Sequence, residues 1–423
     1  MAGDYGYALK RQVMKADSKG ISDYLKKQLQ NLDGFRREAK IYSSATLNSG
    51  QTVHLALLSD VAFVTHDYAD GTVINEPLLA MEWANAHPHN TLQAWMHANR
   101  DSEHGIQDRL SFAIQMFSGL VELHHGGHKQ KTSAALLEQR IPLFVHQDLK
   151  PANMLLFGHG PGGSGPFRLA ITDFGLSVCY NGTDRDAECG GGTPSYKAPE
   201  QWSNKRARTP DRDIWAAAMV LAELFAGPSL ARVLHDYKMY CYRVRHRQCS
   251  EISREICNRA ETFAPAIAKD GEQTPESQLS RVQKAVVELL ERCFRQGSEL
   301  GGAFFDENAR PTSLNCEDFL KNIWQNTLGF QSWHLYHQTL PRPKAAALQR
   351  YSSHNRANLY FESMERGMLT MKLRQCERLR DRVDYSAKHL VDKQIGQLQQ
   401  QIQRTEEQAK SHRKKAGQKD LRR

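Results

Sequence analysis

The sequence predicts an α+β fold, with strands concentrated before residue 85 and helices dominating from Asp213 onward. Three observations predict it. Tyr5 to Met14, Asp60 to His66 and Pro77 to Trp83 carry the β-branched, aromatic and alternating character of strands. Ile106 to His125 sets Ile106, Leu110, Ile114, Phe117 and Val121 on one helical face, and Ile214 to Phe225 is apolar nearly all round, as in a helix buried at a domain centre. From Leu369 to Ala409 apolar residues recur at three- and four-residue spacing, which extends the chain in a helical tail.

The remaining elements follow in order. Ile21 to Ser44 has a helical pattern and Leu92 to Ala98 reads as a short helix. Residues 126–141 are polar, charged and glycine-containing, the pattern of a surface insertion. Phe144–Val145, Met154–Phe157 and Leu169–Thr172 are short strand-like pieces. Between the last two lies the glycine-rich run 158–166. A phosphate-cradling loop would need a Lys and a Ser or Thr at its end and a helix behind it. Neither is present, so the run is predicted to be a long hairpin turn. Val282 to Phe294 is helical, and residues 326–367, with Pro341 and Pro343, read as a linker or docking segment.

Composition narrows the function classes. Hydrophobic residues at 40% and charged residues at 24% are ordinary for a globular chain able to bury a core. The net charge is +9, and residues 371–423 hold fifteen Lys or Arg against seven Asp or Glu, so the basic surplus lies almost wholly in the tail. The eight cysteines include no CxxC pair and read as reduced thiols of a cytoplasmic or nuclear protein. The first residues carry no apolar signal core, and the longest mostly apolar run, Ile214 to Gly227, is too short to span a bilayer. His124, His125 and His128 trail off a helix into the insertion, a poor arrangement for a metal site.

The chemistry is carried by four segments in a fixed order: HQDLKPAN from His146 to Asn153, TDFG from Thr172 to Gly175, GTPSYKAPE from Gly192 to Glu200, and DIW from Asp213 to Trp215. Any one alone is weak evidence; together, at these spacings, they resemble the eukaryotic protein kinase family, over about residues 5–325. The lysine two residues after Asp148 resembles serine/threonine rather than tyrosine kinases. The resemblance implies a two-lobed domain, with a small lobe at residues 1–83, a large lobe at 84–325, a linker at 326–367 and a basic helical or coiled-coil tail at 368–423. It also implies ATP and Mg2+. Phosphoryl transfer requires a positioned nucleophile and neutralised phosphate charge more than covalent help. Asp148 would orient the substrate hydroxyl and accept its proton, and Lys150 would reach the transferred phosphate. Asn153 and Asp173 would supply the hard oxygen ligands that magnesium takes.

The same resemblance assigns further residues. Tyr7 to Lys10 is similar to the strand whose lysine holds the nucleotide phosphates, and Phe35 to Tyr42 to the helix whose glutamate, here Glu38, pairs with that lysine. Met81 would be the gatekeeper, Glu82 and Ala84 would face adenine through their backbone, and Leu155 would line the nucleotide pocket. Thr193 would bond Asp148 and Lys150, and Glu200 would pair with Arg310 to tie the activation segment to the large lobe.

Three departures are visible. Only nine residues precede Lys10, and Gly3 and Gly6 do not form the GxGxxG lid, so the chain is expected to be N-terminally truncated relative to the family. Gln147 stands where the family often has Arg, which implies activity without a phosphate on the activation segment. Ala218 replaces a frequent glycine in the buried helix. The function expected is transfer of the ATP γ-phosphate to Ser or Thr of protein substrates; the rival is a pseudokinase scaffold without turnover. The tail carries a weak coiled-coil pattern with a slip near Val391 and with Arg380 in a seam place, and it offers self-association or an acidic partner. Its last stretch, 411–423, reads as a disordered basic end without aromatics for nucleic-acid stacking.

Overall fold

The computed structural model describes residues 7–11, 38, 41, 54–56, 58–67, 73–99, 105–125, 143–159, 164–180, 191–198, 201, 209–225, 278–294, 310–326, 331–342, most of 362–381, and 385–420. The chain divides into two compact units. One comprises residues 1–43, 57–83 and 343–423; the other comprises residues 44–56 and 84–342. The insertion expected at 126–141 lies outside the described residues.

The first unit contains a three-stranded antiparallel sheet of β1 (Tyr7–Arg11), β2 (Leu58–Asp67) and β3 (Val73–Glu82), in the order β1-β3-β2. β1 pairs only with Leu78–Glu82, setting Lys10 opposite Leu79. Pro77 therefore lies where β3 has a single neighbour among the described residues, which suits a residue with no N–H to donate. Leu79, Ala80 and Met81 are buried. Of the expected helix at 21–44, only Glu38 and Ile41 are described, and both are helical and buried.

The C-terminal tail belongs to the same unit. Its long helix spans Tyr385–Asp420. The seam expected of a coiled coil closes within the chain: Leu369, Cys376, Val391 and Leu398 are buried together, with Leu373, Ile395 and Ile402 packed against them. Ion pairs Arg380–Asp392 at 2.6 Å and Arg366–Glu406 at 3.7 Å fix the two helical stretches antiparallel. The apolar positions from Val391 onward thus face back on those from Leu369 to Cys376, while the slip near Val391 lies inside the long helix. Arg380 is exposed, not in the seam. The expected disorder is corrected for 411–420, where the helix continues to Asp420; Arg413, Lys414, Lys415, Ala416 and Gln418 favour it despite Gly417.

In the second unit, helix α1 (Leu92–Ala98) starts at Thr91, whose hydroxyl accepts from Ala94 N at 3.2 Å. Helix α2 (Ile106–His125) is the axis of this unit, buried along nearly its whole length. It packs on hairpin β5 (Met154–His159) and β6 (Ser164–Ile171) and on helices α3 (Asp211–Leu224) and α5 (Ser313–Asn326); α4 (Gln278–Cys293) packs against α3 and α5. Strands β4 (Leu143–Val145) and β7 (Val178–Tyr180) form a second antiparallel pair. The Arg109 guanidinium donates to Asn99 O and Leu224 O, joining α1, α2 and α3 at one point.

β6 begins five residues before the predicted strand, because antiparallel pairing continues to His159 opposite Ser164. The glycine-rich run is therefore a hairpin, as predicted, with both of its ends in strands. Within the stretch read as linker, Ser332 caps a further helix, α6 (Trp333–Thr339). Its Trp333 and Tyr336 form an aromatic cluster with Trp324 of α5. Of the cysteines, Cys293, Cys316 and Cys376 are buried free thiols. No described helix is long and apolar enough to cross a membrane.

Burial holds His54 and His125 in the neutral form, with pKa values lowered to about 3 and about 4. Below pH of about 6.5 the unfolded chain binds protons that the folded chain refuses. Stability is therefore full above that pH and falls as pH drops toward 4, by up to about 1.4 kcal/mol per pH unit for each group. Urea unfolding at pH 7 and pH 5 should show a clearly lower midpoint at pH 5, and His125→Gln should reduce the difference.

Candidate active site

Strand β4 delivers His146 into the middle of the second unit, and the N-terminus of α3 delivers Asp213 beside it. The carboxylate of Asp213 accepts from His146 N at 2.6 Å and Gln147 N at 2.9 Å, and lies 3.0 Å from His124 Nε2. Burial alone would raise the Asp213 pKa, but the His124 hydrogen bond, the charges of His124 and His146 and the backbone donor hold it below the usual carboxylate range. Gln147 sits at φ 67, a left-handed conformation that a side-chain-bearing residue keeps only when its neighbours enforce it. The His146 ring lies 2.9 Å from Thr172 O through Nε2 and packs edge-on against Phe174 at 5.2 Å. The Asp213 carboxylate holds the start of the 146–153 loop, and the His146 ring ties that loop to the 172–175 segment.

Asp148 is the hub of the loop. Its Oδ1 accepts from Thr193 N at 2.6 Å and from Thr193 Oγ1 at 2.7 Å; its Oδ2 accepts from Lys150 Nζ at 2.8 Å and, more weakly, from Asn153 Nδ2 at 3.4 Å. Lys150 Nζ also donates to Thr193 Oγ1 at 2.8 Å. Gly192, at φ +96, makes this approach possible, since a Cβ there would meet Gln147 O at 2.7 Å. Asn153 Nδ2 also donates to Asp148 O at 2.9 Å, which turns its carbonyl oxygen away from Asp148.

Asp173 follows β6 in a left-handed conformation, φ 66, ahead of the turn Phe174–Leu176. Thr172 N donates to Asn153 O at 2.9 Å, so the two oxygen-bearing side chains of Asn153 and Asp173 hang from backbones that are bonded together. An amide oxygen and a carboxylate so joined fit a hard divalent cation such as Mg2+. Nearby, Ala84, Phe157 and Ala170 form a buried apolar patch with Leu155 against it. The Arg168 guanidinium covers the Phe157 ring at 3.9 Å, so of this cluster only Leu155 is half-exposed.

The other predicted residues fall as follows. Lys10 lies in β1 with its side chain outside the described residues; Glu38 is buried on a helix; Glu82 ends β3 and is half-buried. Glu200 lies outside the described residues. Arg310 is buried, donates to Asp211 O at 3.1 Å and stacks over Trp215 at 4.9 Å. The pairs Lys10–Glu38 and Glu200–Arg310 are thus not described, whereas Asp148, Lys150, Asn153 and Thr193 are brought together. Sequence reasoning missed His124, read only as one of three trailing histidines, and gave Asp213 no role of its own. The signal for both was present in a buried Asp at the first turn of an all-apolar helix, where it requires buried donors.

A family model described as protein kinase domain matches residues 75–327. The chain belongs to the protein kinase family, of the eukaryotic type. Similar proteins include CBL-interacting protein kinase 20 of Oryza sativa subsp. japonica, 28% identical over 206 residues, 45% of this chain and 42% of the relative. The serine/threonine-protein kinase chk-1 of Caenorhabditis elegans is 36% identical over 85 residues, 20% of this chain and 16% of the relative. CBL-interacting serine/threonine-protein kinase 20 of Arabidopsis thaliana is 26% identical over 226 residues, 50% of this chain and 47% of the relative. The chain spans less than half the length of each of these relatives. Among solved structures, a chain of the CAK complex of Chaetomium thermophilum bound to ATP-gamma-S is similar at 17% identity and a TM-score of 0.41, over 80% of this chain and 87% of that one.

Asp213→Ala would leave two buried backbone N–H groups and His124 without their acceptor. The expected loss is about 3 kcal/mol of stability. Asp213→Asn, which keeps one acceptor oxygen, should lose less. Denaturant unfolding of the three proteins measures the difference.

Proposed function

We propose that this chain is a serine/threonine protein kinase that transfers the ATP γ-phosphate to protein Ser or Thr hydroxyls. The observation that carries the reading is the closed circuit of Asp148, Lys150 and Thr193. Asp148 accepts the hydroxyl proton at a carboxylate oxygen, the role its position in the loop suits. The 3.4 Å contact from Asn153 is the weakest of its four, and a substrate hydroxyl can replace it without opening the clamp. Lys150 places a positive charge beside the oxygen that attacks, where negative charge builds on the phosphoryl group. Thr193 holds the activation segment on this pair, beside which a peptide substrate would lie. Mg2+, held by Asn153 and Asp173, would neutralise phosphate charge. Leu155 would line the adenine pocket, with the Ala84 backbone facing the base, as the family resemblance implies. The resemblance to the kinase family assigns Lys10 and Glu38 the pairing that holds the nucleotide phosphates.

The preference for Ser or Thr rests on Lys150 and on the serine/threonine kinases among the similar proteins. The second reading is a binding module without turnover. It is favoured by one observation: the family match begins at residue 75 and so leaves out both Lys10 and Glu38.

The test is phosphoryl transfer from ATP to a basic protein substrate, with Mg2+ in excess, for the chain and for Asp148→Ala. The expected outcome is transfer to Ser or Thr that falls by at least about a hundredfold in the variant. Equal signal in both proteins supports the binding module. Gln147 offers no cation for a phosphate on the activation segment, so treatment of the active protein with a phosphatase is expected to leave its turnover intact. Complete loss of turnover would contradict that expectation.

A further inference from the structure

Two histidines that flank the family-matched segment, His54 before it and His337 after it, meet over the strand that leads to Asp173. His54 begins a three-residue segment that runs parallel to the end of β6. Ile171 N donates to His54 O at 2.9 Å, and Ala56 N donates to Ile171 O at 2.8 Å. Ile171 is two residues from Asp173. The segment thus acts as a third strand beside the β5–β6 hairpin at the point where the metal-ligand candidate is aimed.

Four contacts hold that segment, the longest being the donation from His54 N to Glu122 Oε1 of α2 at 3.5 Å. Its backbone lies against Gly119 of α2, where a Cβ would come within 2.8 Å of His54 O, so the close approach depends on that glycine. The His54 ring is wholly buried; its Nδ1 lies 3.1 Å from Leu169 O, and its Nε2 lies 3.1 Å from His337 Nε2. A carbonyl only accepts, so Nδ1 carries the proton and Nε2 is the acceptor. His337 Nε2–H is therefore the donor. Its helix, α6, is anchored independently by the Trp324–Trp333–Tyr336 cluster and by His159, whose ring nitrogen lies 2.7 Å from Thr339 O at the far side of the same hairpin.

The tautomer makes this contact a fixed strut and not a proton switch. His54 stays neutral down to a pKa of about 3, because burial and the neighbouring His337 both disfavour its charge. Across ordinary pH the His54 ring therefore keeps its proton on Nδ1 and its acceptor toward His337. The load it transmits runs from α6 through His54 to Ile171, and along the backbone to Asp173.

We propose that His337 is a positioning residue for Asp173, acting through His54 on the short strand His54–Ala56 that pairs with the end of β6. The proposal rests on the kinase reading of Asp173.

The test uses the full chain in four forms: the natural sequence, His337→Ala, His337→Gln and Leu335→Ala. Amide hydrogen exchange is read first, with no nucleotide or metal. His337→Ala should speed exchange at Ala56 and Ile171 on the order of fivefold, the equivalent of one lost hydrogen bond. His337→Gln, whose amide N–H can reach His54 Nε2, should restore protection, and Leu335→Ala, on the exposed face of α6, should change nothing. Phosphoryl transfer is then followed against Mg2+ concentration. His337→Ala should raise the half-saturating Mg2+ on the order of fivefold, with a smaller change in the maximal rate. Unaltered exchange in a folded His337→Ala overturns the proposal. Faster exchange with an unaltered Mg2+ requirement overturns it as well, since it leaves α6 a stabilising strap only. If His337→Ala does not fold, His337→Asn, whose amide stops short of His54, takes its place. A natural chain that fails to turn over sinks the kinase reading, while the exchange measurement still decides whether His337 holds the segment.

Discussion

The buried carboxylate of Asp213 is the constraint from which the rest of the site follows. It lies at the start of a helix with almost no exposed surface, and its two oxygens satisfy two consecutive backbone donors of the 146–153 loop. A loop bonded in this way cannot shift without leaving polar groups unpaired in the core, at a cost of several kcal/mol. The left-handed Gln147 is tolerated for the same reason. With the loop fixed, Asp148, Lys150 and Asn153 project from a rigid base, and the His146 ring carries the constraint on to the carbonyl of Thr172.

Around that anchor the second unit is organised as a set of clasps on α2. Arg109 ties its start to α1 and α3. Gln115 pairs with Leu169 N at 2.7 Å and with Phe167 O at 3.0 Å on the edge of β6, and Ser118 meets Glu317 of α5 at 2.5 Å. Polar residues on a helix this buried serve the backbones and side chains of other elements, which is why the helix is less uniformly apolar than its burial demands. The tail obeys another economy. An apolar stripe too weak for an extended coiled coil is folded back on itself, so that each half covers the other.

Much of the architecture was legible in the chain. Strand alternation located β1, β2 and β3, and periodicity located α1 and α2 at their observed bounds, because those elements obey local rules of spacing. The residues around Asp148 were legible for a different reason: four short segments, in one order, carry the resemblance to the protein kinase family to which the chain belongs. What escaped was set by pairing at a distance. The start of β6 was fixed by its partner β5, and α6 was hidden by nearby prolines. The packing of the tail's later apolar positions on its earlier ones left no mark in the repeat that told it from a seam between two chains.

The sequence by itself determined the class of fold, the order of the elements and the identity of the chemical groups, since these depend on local propensity and on residue type. The tertiary structure decided which groups meet. It paired His124 with Asp213 across 89 residues and His54 with His337 across 283. It also selected the single donor direction between those last two rings. Such contacts form because a buried donor must find an acceptor wherever the packing supplies one, and no local pattern in a chain records where that will be.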